Sequence, residues 1–113
     1  MARVGLINEV VANLRFPRAA SRNGSPSVPT LSIFYGIVIQ MFWQDHPPPH
    51  FHALYAEHEA QIDIRTLEVI EGSLPRRALA LVVEWAQAHR AELMEDWNLC
   101  RQRQPPRTIE PLR

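Results

Sequence analysis

From Thr30 onward, every segment with a β-type pattern precedes every segment with a helical pattern. Four short runs are rich in β-branched and aromatic residues, namely residues 31–35, 37–43, 50–55 and 60–65. Val69-Ile70 is a candidate fifth fragment. Strands followed by helices, without alternation, indicate an α+β fold. We therefore predict a small antiparallel sheet of about four strands packed against a C-terminal pair of helices.

Two helical stretches follow, and they meet near His89. Ser73 is predicted to cap the first helix, with Pro75 in its first turn. Apolar residues at helical spacing mark one face of each helix. They are Leu79, Val82, Val83 and Ala86 in the first helix, and Leu93, Met94, Trp97 and Cys100 in the second.

The length of 113 residues fits one domain, which we place at residues 28–113. Residues 1–27 are predicted to be a disordered extension, or to result from a mis-assigned start with Val28 as the natural one. A docking helix for a partner is the alternative, because apolar residues recur there at helical spacing. Cys100 is the single cysteine, and no apolar run is long enough to span a bilayer. These features favour a cytoplasmic protein.

The formal net charge of zero conceals an uneven distribution. Residues 28–100 hold four arginines against ten carboxylates, whereas residues 101–113 hold four arginines against one. An acidic body does not attract phosphate backbones, because that affinity depends on clustered cations. Any nucleic-acid contact would therefore have to use the arginine-bearing ends.

The segment Asp45-His46-Pro47-Pro48-Pro49-His50-Phe51-His52 is the most unusual part of the chain. Three prolines restrict the backbone before the third strand. His50 and His52 are two residues apart, so their side chains share one face of a strand.

A hairpin register follows from the apolar residues. A two-residue turn at Glu57-His58 would place Ala53 opposite Ile62 and would pair His52 with Asp63. His50 would then lie opposite Arg65.

Three interpretations of this histidine face compete. His50 and His52 could bind a divalent metal, with Asp63, Asp45 or His46 completing the site. Alternatively, His52 could be a general acid or base oriented by Asp63. In the third interpretation, the residues form a polar cross-strand cluster or part of a protein interface. The candidate catalytic residues are thus His46, His50, His52 and Asp63, and the candidate metal ligands are His50 and His52.

The same segments resemble the bacterial family called domain of unknown function 4160. The resemblance is carried by Pro29 to Ile37, the proline-histidine segment 45–53, Ala60 to Ile64 and Gly72 to Leu79, with Trp85 and Trp97. It implies little about chemistry, since the motif has no assigned activity. Genes of this family often neighbour one for another small domain family, numbered 2442, in a pair that resembles a toxin–antitoxin module.

Two expectations about function follow. The first is a protein-binding component, or the toxin, of such a two-gene module, with a small partner protein encoded nearby. The second is a histidine- or metal-dependent hydrolase or nuclease that acts on a phosphoester. The sequence leaves open whether the protein is an enzyme, and it does not establish the oligomeric state.

Overall fold

Five strands form one antiparallel sheet in the order of the sequence, in a computed structural model that describes residues 28–113. They are β1 (Thr30–Phe34), β2 (Ile37–Gln40), β3 (His50–Tyr55), β4 (His58–Asp63) and β5 (Val69–Ser73). The predicted α+β class is confirmed, with five strands rather than about four, because Val69-Ile70 belongs to a full edge strand. The prediction of an extension at residues 1–27 lies outside the described residues.

Two helices follow the sheet, α1 (Arg76–Ala88) and α2 (Arg90–Arg101), and His89 separates them as predicted. The prediction that Ser73 caps α1 is wrong, because Ser73 ends β5 and pairs there with Glu59. Pro75 precedes the helix instead, and its missing N–H costs nothing at a helix start. Neither helix in residues 28–113 has the length and hydropathy required to cross a membrane.

Helix α1 covers one face of the sheet through Trp85. Its ring lies 5.3 Å from that of Phe34 and 6.0 Å from that of Phe51, measured between centroids. The Trp85 Nε1–H donates to the carbonyl oxygen of Glu110 at 2.7 Å, and the Ile109 N–H donates to that of Leu31 at 2.8 Å. The C-terminal segment is therefore bonded to both layers. Full burial of a large apolar side chain contributes about 2 kcal/mol, so this contact face is a main source of stability.

The β3–β4 hairpin has the predicted faces but a different register. Phe51 lies opposite Ile62, and Ala53 lies opposite Ala60, with the turn at Ala56 and Glu57. The predicted turn at Glu57-His58 is therefore wrong by one position, which displaces every cross-strand partner by two residues. Because the displacement is even, the histidines still share the face opposite to Phe51 and Ala53.

Candidate metal centre

The segment between β2 and β3 brings the Asp45 carboxylate against two histidines of β3. Asp45 Oδ2 lies 3.0 Å from Nε2 of His50 and 3.2 Å from Nε2 of His52. Its other oxygen, Oδ1, accepts the backbone N–H of His46 at 2.9 Å. One carboxylate oxygen is therefore shared by two imidazole nitrogens that belong to the same strand face.

Aromatic side chains hold both imidazole rings in place. The Phe42 ring stacks on His52 with centroids 3.8 Å apart and planes 7° apart. The Trp97 ring of α2 lies 5.3 Å from that of His50. The histidine side chains are only 1% and 3% exposed, whereas Asp45 is 14% exposed. The two imidazole rings are thus nearly excluded from solvent, whereas Asp45 is partly accessible.

Each imidazole also has a partner on its other nitrogen. His50 Nδ1 lies 2.7 Å from the carbonyl oxygen of Pro48, and His52 Nδ1 lies 3.2 Å from Oε2 of Glu59. Both partners are acceptors, so each Nδ1 donates an N–H. A histidine that binds a metal through one nitrogen commonly donates the other N–H to a carbonyl or a carboxylate. The site has this arrangement at both rings.

These contacts determine whether the two Nε2 atoms can carry a proton. A neutral imidazole has a single N–H, and both rings already use it at Nδ1. Each Nε2 of His50 and His52 would then direct a lone pair at the Asp45 carboxylate, which is repulsive. Either the rings are doubly protonated, or a cation lies between the two Nε2 atoms and Asp45.

The electrostatics of the metal-free site favour charged groups. Burial alone would raise the pKa of the Asp45 carboxyl, but hydrogen bonds with His50 and His52 lower it well below its usual range. Burial alone would lower the pKa of His52, but hydrogen bonds with Asp45 and Glu59 raise it above its ordinary value. Asp45 is therefore an anion at neutral pH, which suits a ligand for a cation.

The three donor atoms have the spacing of a coordination sphere. Nε2 of His50, Nε2 of His52 and a carboxylate oxygen of Asp45 all lie within 4.8 Å of one another. Bonds of about 2.0–2.2 Å from a metal to nitrogen or oxygen place neighbouring ligand atoms roughly 3.0–3.5 Å apart. The two Asp45 contacts, at 3.0 and 3.2 Å, fall in this range. The donor set of two imidazoles and one carboxylate suits zinc or ferrous iron.

Not every residue predicted for the site contributes to this cluster. The prediction that Asp63 orients His52 is wrong, because Asp63 Oδ1 accepts the backbone N–H groups of Arg65 and Thr66 at 2.7 and 3.2 Å. Burial alone would raise the pKa of Asp63, but these backbone hydrogen bonds lower it. Asp63 therefore stabilises the turn after β4, and its partner across the strands is His50 rather than His52.

Two other side chains lie near the cluster, those of His46 and Glu59. His46 is 81% exposed beside Asp45, with its ring 5.9 Å from that of His50. Glu59 was missed by sequence reasoning, which paired His52 with Asp63. In the observed register His52 lies opposite Gln61, so Glu59 is its diagonal neighbour on the same face. A correct turn position would have predicted this contact.

Comparison with known proteins gives one result. The family model for a domain of unknown function, DUF4160, matches residues 36–98, which include β2 to β5, α1, most of α2 and the whole candidate site. No curated protein and no solved structure shows significant similarity to the chain. Because the match covers more than half of the sequence, the chain belongs to the DUF4160 family.

Proposed function

We propose that this protein binds a divalent transition-metal ion through Asp45, His50 and His52 and is a metal-dependent hydrolase. The observation that supports it best is the position of the donors. Both Nε2 atoms face Asp45 Oδ2, while both Nδ1 atoms face acceptors. A cation shared by the three groups would remove the conflict between these lone pairs.

The number of ligands favours a catalytic role over a structural one. Structural zinc sites have four protein ligands, whereas catalytic sites have three and keep a position for water or substrate. Two histidines and one carboxylate form the ligand set of several zinc hydrolases. Asp45 is the most exposed of the three ligands, and it lies beside the exposed His46. His46 is outside the ligand set and remains available for contact with a substrate.

The reaction we propose is hydrolysis of a phosphoester. A metal ion of this kind lowers the pKa of its bound water to about 7, which supplies hydroxide at neutral pH. In this hydrolysis the hydroxyl group derived from water would form the new bond to phosphorus, the ester P–O bond would break, and the proton lost by the water would pass to the leaving alcohol. Asp45, His50 and His52 would hold the ion, and Glu59 holds His52.

The test is hydrolysis of p-nitrophenyl phosphate, a phosphomonoester, by protein reconstituted with zinc or manganese. We expect turnover that EDTA abolishes and that His52→Gln reduces at least tenfold, because one of three ligands is altered. His58→Gln is the matched control, since His58 lies in the same hairpin with its side chain 39% exposed. Circular dichroism would verify that both variants fold. Equal turnover by His52→Gln and wild type would contradict the proposal.

A second candidate is a protein-binding component, or the toxin, of a two-gene module. Its support is an apolar row on the sheet face away from Trp85, formed by Ile33, Val38 and Leu54, which are paired across β1, β2 and β3. Ile33 is 60% exposed. Growth arrest on induced expression, relieved by co-expression of the neighbouring gene, is the expected result. No arrest, and no complex between the two purified products, would contradict it.

A further inference from the structure

Two arginines at the end of α2 lie next to the candidate metal centre. Arg103 Nε donates to Oε1 of Gln44 at 2.9 Å, and Gln44 directly precedes Asp45. The Gln44 N–H in turn donates to the carbonyl oxygen of Cys100 at 3.3 Å. The segment that carries Asp45 is thus bonded to the end of α2 through both a side chain and the backbone.

Arg101 reaches the same region through Trp97. Its guanidinium carbon lies 5.9 Å from the Trp97 ring centroid, and the Trp97 ring lies 5.3 Å from the ring of His50. A guanidinium above an indole ring is held by a cation–π interaction and still has its N–H donors free. Arg101 and His50 therefore both lie next to the same Trp97 ring.

Both guanidinium groups are available to a ligand. Arg101 and Arg103 are exposed, and neither forms an ion pair with a carboxylate among residues 28–113. Three other arginines of residues 28–113 face carboxylates. Arg107 faces Glu95 at 3.9 Å, Arg113 pairs with Glu110, and Arg65 faces Asp63 at 3.6 Å.

The charge of the rest of the domain makes these two arginines the more favourable location for an anion. Residues 28–100 carry ten carboxylates against four arginines, so most of the domain repels an anionic ligand. Arg103 places a positive charge on Gln44, which precedes Asp45, and Arg101 places another on Trp97, which lies next to His50. Gln44 and Arg103 both have positive φ, at 49° and 60°, which fixes an uncommon backbone conformation at each end of their side-chain hydrogen bond.

We propose that Arg101 and Arg103 bind the phosphate group of the substrate beside the metal centre, an inference that rests on the metal-dependent hydrolase proposed above. The planar fork of a guanidinium matches two phosphate oxygens, and a metal ion binds a third. The substrate class is then a phosphate ester with an exposed, doubly charged phosphate group.

The experiment is calorimetric titration of zinc-loaded protein with phenyl phosphate, using benzoate as a second anion of similar size. Wild type should bind phenyl phosphate more tightly than benzoate. The Arg101→Gln, Arg103→Gln double variant should lose roughly tenfold in affinity for each arginine, with unchanged zinc affinity. The Arg76→Gln, Arg77→Gln double variant removes the same charge from the start of α1 and should bind phenyl phosphate like wild type.

Different outcomes test the arginine assignment and the metal centre separately. If wild type binds zinc but the Arg101→Gln, Arg103→Gln variant binds phenyl phosphate as tightly as wild type, the arginine assignment is overturned and the metal centre stands. Equal affinity of wild type for benzoate and phenyl phosphate would overturn the phosphoester assignment. Zinc titration without any anion tests the metal centre alone, and failure of wild type to bind zinc would overturn the hydrolase proposal itself.

Discussion

Replacing Asp45 with asparagine tests how strongly the histidine cluster contributes to folding in the absence of metal. Asp45 Oδ2 interacts with both His50 Nε2 and His52 Nε2, at 3.0 and 3.2 Å. A hydrogen bond to a charged group contributes about 1.5–3 kcal/mol. Asparagine keeps one carbonyl acceptor but loses the charge, so it sacrifices the larger part of two such bonds. Since burying the carboxylate also costs free energy, we expect a net loss of about 2–3 kcal/mol.

The assay is urea unfolding in EDTA, followed by tryptophan fluorescence. With a slope near 1 kcal/mol per molar urea for a small domain, the midpoint of Asp45→Asn should fall by about 2 M. Glu57→Gln is the control, because Glu57 lies in the β3–β4 turn with its side chain 83% exposed. Its midpoint should equal that of wild type. A midpoint for Asp45→Asn within 0.5 M of wild type, on the order of 0.5 kcal/mol, would refute the reasoning.

The same variant makes a prediction about pH. The pKa of Asp45 is lowered on folding. Its contribution to the free energy of unfolding is therefore complete above about pH 4 and is lost as the pH falls through the folded-state pKa. The pKa of His52 is raised on folding, so its contribution is complete below about pH 6.5 and is lost as the pH rises through the folded-state pKa. The stability difference between wild type and Asp45→Asn should therefore be largest near pH 5 to 6. A difference that does not change between pH 3 and pH 9 would contradict this account.

Two further predictions concern the scaffold. Gly72→Ala should destabilise by at least about 2 kcal/mol, because Gly72 has φ 78° and its Cβ would lie 2.1 Å from the carbonyl oxygen of Glu59. Gly36→Ala, with φ 79° but no contact closer than 3.5 Å, should cost about 1 kcal/mol in the same urea assay, and equal losses would contradict the steric argument. Burial raises the pKa of Asp96, whose Oδ1 accepts the Arg107 N–H at 2.8 Å. Its contribution is complete below about pH 4 and is lost as the pH rises, so Asp96→Asn should gain stability relative to wild type from pH 3 to pH 7, and an unchanged difference would contradict this.

Local patterns predicted the elements of the fold but not every boundary. The alternation of Phe51 and Ala53 with the histidines identified the faces of β3, because the apolar face of such a strand packs against the core and the polar face points away from it. The turn was harder to locate. Ala56 has φ 53°, a conformation that glycine or asparagine usually marks, and no such residue stands there. The register of the hairpin, and with it the contact between Glu59 and His52, was lost for that reason.

The two histidine ligands could be predicted from the sequence. The third ligand, Asp45, was only one of three candidates. His50 and His52 share a face through simple strand geometry. Asp45 reaches them because the segment from Met41 to Pro49 folds back over the sheet, with Phe42 stacked on His52. No periodic sequence pattern predicts that a loop folds back over the sheet in this way. Arg103 depends on a contact between residues 59 positions apart, which only the tertiary structure supplies.

Cobalt(II) titration tests the central claim most directly, because the visible spectrum reports both the stoichiometry and the ligand set. The account predicts one ion per chain, with a spectrum of low coordination number and nitrogen and oxygen ligands. Zinc should displace the ion, and the signal should be lost in the His50→Gln, His52→Gln double variant but kept in His58→Gln. A wild-type spectrum identical to that of aqueous cobalt at equimolar protein, with the protein folded, would contradict the account.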